Sequence, residues 1–275
     1  MTASTPHQQP PAPTGALLPR VLSTVTGDPG RPRLTWYGPD GERIELSGHV
    51  LDNWVTKATN LLVEEFHVGP ASEVALDLPP HWRTVVWAFA AWRAGACVTT
   101  DDPGTVEAGT VVVTDRPERW TGTPADVVAV ALPALARRFD GALPPGATDS
   151  SAAVLGYGDV LTYVREHAPA ACAVRTVGPG ATTRTHAELG AWARETADAR
   201  WAGEEWLAAA DESAAYRALL EARDDDALAV VAAAVVVFGA DGSVVLTSPG
   251  VTAELAEDAA RREHLVETER VGRLV

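Results

Sequence analysis

Apolar residues recur with two periods along the first hundred positions. Runs at 33–37 and 43–46 are strand-like and flank the turn Pro39-Asp40-Gly41, which predicts a hairpin. Behind Ser47, a good N-cap, the residues Val50, Leu51, Trp54, Val55, Ala58, Leu61, Leu62 and Phe66 fall at helical spacing. Gly69-Pro70 ends that helix. Positions 73–78 read as a strand stopped by Pro79-Pro80, and 81–95 as a helix apolar nearly all round, hence covered on more than one side. Short apolar strands follow at 97–100, 110–114 and 126–131.

The second half is less regular. A loop and then a helix are expected over 148–167, and a strand over 171–177. A glycine-rich loop leads to a helix opened by Thr185-His186-Ala187-Glu188, whose Thr185 and Glu188 have capping-box spacing. Helix is expected over 204–222, strands over 228–238 and 243–246, and a last helix over 252–265. Near the start, 16–26 reads as a short helix. Residues 1–14 are Pro-rich and polar, as expected of a loose tail.

Strands alternating with helices define the fold class: α/β, doubly wound, with a mainly parallel sheet layered with helices. The expected division is a tail (1–14), a first α/β lobe (15–168) and a second, reduced lobe packed on it (169–275).

Charge narrows the partners. Acidic residues number 37 against 22 basic ones, for a net charge of −15. Nucleic acid and anionic membranes are not expected partners, because phosphate binding needs clustered positive charge. Lys57 is the sole lysine and is expected to be a solvated residue on a helix surface. Cys97 and Cys172 stand singly in apolar runs without a zinc-type spacing, so buried free thiols are expected. That usage, with no apolar leader and no run long enough to span a bilayer, points to a cytoplasmic protein.

Candidate chemistry centres on the glycine-rich loop. A strand, a Gly-rich loop and a capped helix make an anion site, because backbone N–H groups converge on the helix N-terminus. Gly178, Gly180, Thr182, Thr183, Arg184, Thr185 and His186 have that layout, which an ordinary strand-to-helix connection would also produce. Neither GxxxxGK[ST] nor GxGxxG occurs, and no GxSxG elbow. Asp101 and Asp102 follow a strand, where a turn cap is favoured over a metal site. His81 is expected to cap a helix or lie at the surface, and Asp224-Asp225-Asp226 to form a solvated turn. No residue is assigned a catalytic or metal-ligating role.

Leu34-Thr35-Trp36-Tyr37, the helix with Ala58, Leu61 and Leu62, Val68-Gly69, the run from Glu73 through Pro79, and Ala94-Gly95-Ala96 together resemble the opening of acyl-adenylate-forming enzymes. That superfamily includes acyl-CoA synthetases and peptide-synthetase adenylation domains. Pro169-Ala170-Ala171-Cys172-Ala173-Val174 is similar to the strand before the family's phosphate loop, and Thr185-His186-Ala187-Glu188-Leu189 to the segment after it. The resemblance implies part of the family's large N-terminal domain. It also implies ATP or AMP with Mg, and a small carboxylic acid, as ligands. The family's loop ends in Pro-Lys-Gly, whereas this one reads TVGPGATTR without lysine. The family's adenine-site segment, ribose-gripping aspartate and C-terminal lid have no counterpart here. The chain is similar to short actinobacterial proteins related to AMP-binding enzymes. The expected function is therefore a ligand- or protein-partner-binding module that has lost adenylation. The alternatives are an active adenylate-forming enzyme with an altered phosphate loop, and an unrelated nucleotide-binding α/β protein.

Overall fold

A computed structural model describes residues 17–161, 163–178, 180–201 and 216–274. The elements run α1 (Leu17–Gly27), β1 (Pro32–Tyr37), β2 (Arg43–Ser47), α2 (Gly48–Phe66), β3 (Glu73–Asp77), α3 (Trp82–Arg93) and β4 (Cys97–Thr99). After them come β5 (Val111–Thr114), β6 (Asp126–Ala129), β7 (Thr148–Asp149), α4 (Ser150–Ala153), β8 (Cys172–Arg175), β9 (Thr183–Thr185) and α5 (Leu189–Arg200). The last are β10 (Arg217–Glu221), α6 (Ala227–Gly239), β11 (Ser243–Thr247), α7 (Pro249–Glu257), α8 (Ala259–Thr268) and β12 (Arg273–Leu274).

Among the described residues these strands form two sheets, ordered β12-β10-β11-β1-β2 and β7-β6-β5-β3-β4-β8-β9. Pairing is parallel except at the β1–β2 and β8–β9 hairpins. Both sheets draw strands from either side of residue 168, since β1 pairs with β11 and β4 with β8.

Helices lie between the sheets. α3 packs on β3, β4 and α6, while α6 packs on β11. Strand alternation sorts side chains between layers. Val111 and Val113 of β5 join the central core, and Val112 joins Ala75, Trp120 and Val127 on the far face. The other sheet's outer face packs Leu219 and Val245 against Val251, Leu255 and Leu265. α3 buries every residue from Trp82 to Trp92, as its all-round apolarity predicts.

Several expectations are corrected. The run 228–238 is a helix, α6, and not a strand. Residues 217–221, expected to be helical, form the buried strand β10; most of the rest of that expected helix lies outside the described residues, as does the tail 1–14. Over 148–167 the helical turn comes first, because Asp149 caps Ser151 and Ala152, and the irregular segment follows. The last helix is two: Asp258 breaks it and caps α8 by accepting from the N–H of Arg261. Cys97 and Cys172 are joined in a disulfide between β4 and β8. Their separation of 75 residues hid a pairing that the sheet order creates. The reducing-compartment reading drawn from free thiols loses its basis. Among the described residues, no helix is long and apolar enough to cross a membrane.

Candidate functional site

The glycine-rich loop is the tip of the β8–β9 hairpin, not the mouth of a helix. Thr183, Arg184 and Thr185 form a strand, and α5 begins only at Leu189. The helix dipole is therefore not what the loop presents. Thr176 and Thr182 close the loop: the Thr176 N–H donates to the Thr182 carbonyl (2.9 Å) and the Thr182 N–H to Thr176 Oγ1 (2.9 Å). The Val177 N–H donates to Thr100 Oγ1 (3.2 Å) and the Ala181 N–H to the Gly178 carbonyl (3.0 Å). Gly178 and Gly180 take positive φ (89° and 80°), which glycine adopts without strain.

Arg184 is engaged locally at this tip. It donates to Thr182 Oγ1 (2.7 Å) and pairs with Glu195 on α5 (3.4 Å). Thr185 donates through N–H and Oγ1 to Glu188 (2.9 and 2.8 Å), so the expected pair exists but braces the turn before α5. His186 sits at the opposite end of the hairpin, where its N–H donates to the Ala171 carbonyl and its ring meets His167 at 4.0 Å. Burial, with His167 beside it, pushes its pKa down to about 4. The structure thus gathers Gly178, Gly180, Thr182 and Arg184 at one tip, leaves Thr183 exposed on β9, and separates His186 from them.

The other candidates resolve individually. Asp102 caps a turn by accepting from the Gly104 N–H (2.7 Å). Asp101 is buried, accepting from Thr99 Oγ1 (2.6 Å) and pairing with Arg175 (3.4 Å). Asp226 pairs with Arg200 (2.6 Å), so that acidic run is partly structural. Lys57 is half-buried, donating to the Tyr157 carbonyl (2.6 Å) and pairing with Asp159 (2.7 Å); it ties α2 to the 157–159 segment and is not a solvated surface residue. No group of three metal-ligating side chains occurs among the described residues.

A second feature was not foreseen. Parallel strands of both sheets end around a cleft of about 460 Å³. Trp36 comes from β1, Pro39 to Glu42 from the β1–β2 turn, Pro79 to His81 from beyond β3, Leu132 and Pro133 from beyond β6, and Ser248 and Pro249 from beyond β11. The chain leaves β3 for β4 on one side and later places β5 on the other, so β3 marks the switch point where open α/β sheets bind ligands. The lining is mostly apolar, with few polar groups. Trp36 donates its Nε1–H to Glu42 (2.9 Å), whose second oxygen accepts from the Ala134 N–H (2.7 Å). His81 packs edge-on to Trp36 at 4.4 Å and caps α3, its Nδ1 accepting from the Arg83 N–H (3.1 Å). Burial, reinforced by the Arg83 cation, pushes its pKa down to about 3, so it is neutral. The capping expectation for His81 is met; the surface position is not. The available signal was a proline behind each contributing strand: Pro39, Pro79-Pro80, Pro133 and Pro249.

No family model matches the sequence. A Mycobacterium tuberculosis protein named for its family alone is 39% identical over 161 residues, covering 57% of this chain and 64% of that protein. Solved structures match over 94% of the chain. They include an acyl-CoA synthetase of Brucella canis (18% identity, TM-score 0.68, 46% of that chain). Another is the N-terminal subdomain of Klebsiella oxytoca NpsA in complex with 3-hydroxybenzoyl-AMSN (13%, 0.63, 59%). A third is the amide bond synthetase McbA of Marinactinospora thermotolerans (17%, 0.56, 47%). The chain has the α/β fold of the N-terminal domains of adenylate-forming enzymes and spans about half the length of such proteins.

Proposed function

We propose that this chain is a ligand-binding module on the adenylate-forming fold, that its cleft takes a small apolar molecule, and that its loop no longer supports adenylation. The observation that carries the reading is the engagement of Arg184. Adenylation needs positive charge free to stabilise a transferring phosphoryl group. The loop holds no lysine, and its arginine is spent on Thr182 and Glu195. A glycine-rich tip with positive φ at Gly178 and Gly180 fits weak nucleotide binding better than catalysis. Asp40 and Glu42 at the cleft disfavour an anionic occupant there. A partner protein docking over the same opening is the remaining form of this reading.

The competing reading is an acid-activating enzyme in which Arg184 breaks its pairing to reach ATP and Mg. Two measurements separate them. ATP–pyrophosphate exchange over a panel of carboxylic acids is expected to be absent; exchange that Gly180→Val abolishes would establish the enzyme. Thermal shift with octanol against octanoate is expected to favour the alcohol, whereas ATP, AMP, CoA and NAD give little. A ligand at a hundred times its Kd adds about 2.7 kcal/mol, well within reach of the method. A large shift with ATP and none with the alcohol would reverse the assignment.

A further inference from the structure

Two arginines lie buried in the described structure, and they are treated differently. Arg33, 1% exposed, donates to the carbonyls of Val25, Thr24, Asp241 and Gly242 and pairs with Asp241 at 2.7 Å. Arg83 is 5% exposed, and its guanidinium has one long hydrogen bond, to the Ala134 carbonyl at 3.5 Å. Its Nε is buried without an acceptor, and among the described residues no carboxylate pairs with it. Glu42 acts on it only from further off and already accepts from Trp36 and Ala134. Aromatic rings cover the guanidinium, Trp82 at 4.3 Å and Trp54 at 5.1 Å. A cation–π contact attracts the charge without supplying a hydrogen-bond acceptor.

Position adds to the imbalance. Arg83 is the second residue of α3, at the positive end of the helix dipole, where a cation is disfavoured. Neighbouring His81 is neutral and brings no negative charge. Burial pushes the Arg83 pKa down to about 10, so the guanidinium still carries its proton at neutral pH. A small cavity of about 10 Å³ opens here, lined by Trp54, Trp82, Arg83, Ser150 and Val154 among others. That is room for about one water-sized sphere. The Trp82 indole N–H is also buried without an acceptor.

We propose that this cavity between α2, α3 and α4 binds a small anionic group of one-atom size, a halide ion or one carboxylate oxygen, with Arg83 and Trp82 as its donors. A water would satisfy the donors but leave the charge and the helix end uncompensated. The cavity shares no lining residue with the cleft, and the proposal does not rest on what the cleft binds.

The test compares wild type with Arg83→Met in sodium chloride, bromide and acetate at constant ionic strength. Taking the difference between the proteins at each salt removes general salt effects on stability. Wild-type Tm is expected to rise by about 5 °C or more at a hundredfold excess over Kd, with Arg83→Met showing no saturable rise. A response to halides alone assigns the ion; a response to acetate alone assigns a ligand carboxylate. Bromide-soaked wild-type crystals provide a readout independent of the variant's folding: an anomalous peak beside Arg83 supports the site. Identical salt responses in the two proteins, or an ordered water with no bromide in that cavity, would overturn the proposal.

Discussion

The indole of Trp36 illustrates how much one glycine can carry. A Cβ on Gly38 would stand 2.6 Å from both Trp36 Nε1 and Glu42 Oε2. Only a bare Cα lets that hydrogen bond form under the backbone. Glu42 then uses its other oxygen on the Ala134 N–H, pinning the 132–134 segment against the β1–β2 turn. Gly38→Ala is expected to break the bridge and cost about 1–3 kcal/mol in urea unfolding. Glu42→Gln should cost a similar amount, because an amide places a donor against one of two N–H groups. Both variants should also weaken whatever occupies the cleft. A Gly38→Ala protein with unchanged stability and unchanged cleft binding would show that the bridge holds nothing in place.

At the level of elements, α6 shows what the amino-acid pattern does and does not encode. Its residues are apolar on every side, so neither a period of two nor one of 3.6 stands out, and its valines favour the strand reading. Its 13 residues exceed an ordinary buried strand, and its alanines let α1, α3 and α5 approach closely. Length was the better guide. The first hundred positions were legible because each element there is bounded by a cap or a proline, as at Ser47 and Pro79. The hairpin around Gly178 was not, since three residues of β9 are too short to show alternation, and the capping-box spacing of Thr185 and Glu188 drew the helix start forward. The cleft was invisible because its residues lie far apart in the chain and meet only through the sheet order. Tight packing around α6 makes a direct test. Ala233→Leu, at a fully buried position, should destabilise by about 1–3 kcal/mol through overpacking. A neutral substitution would mean that α6 does not sit in a filled layer.

Across the whole molecule, two neutral histidines join parts that are distant in sequence. His81 lies where the end of β3 meets the β1–β2 turn, and His186 binds the base of the β8–β9 hairpin near Gly95. Both have folded-state pKa values well below the unfolded value, about 3 and about 4 against 6.5, chiefly because burial disfavours the cation. Well above pH 6.5 they are neutral in both states, and their contribution to stability is fully present. Below it the unfolded chain binds protons that the folded chain refuses. Stability then falls by about 1.4 kcal/mol per pH unit for each histidine. His186 stops contributing to the loss near pH 4, and His81 near pH 3. Glu269 shifts the same way at lower pH: burial raises its pKa, but hydrogen bonds from Tyr37 and Arg43 outweigh it and hold the carboxylate below its usual range. Between pH 6.5 and 5 the histidines therefore dominate the loss, His167 among them, since burial pushes its pKa down as well. Urea midpoints measured at pH 7.5, 6.5 and 5.5 should fall slightly across the first pair and about three times as far across the second. His186→Gln should reduce that drop and His81→Gln should reduce it further, whatever their effects on absolute stability. A wild-type midpoint that stays constant down to pH 5 would mean that neither ring is buried neutral, and that the joints they form are open to solvent.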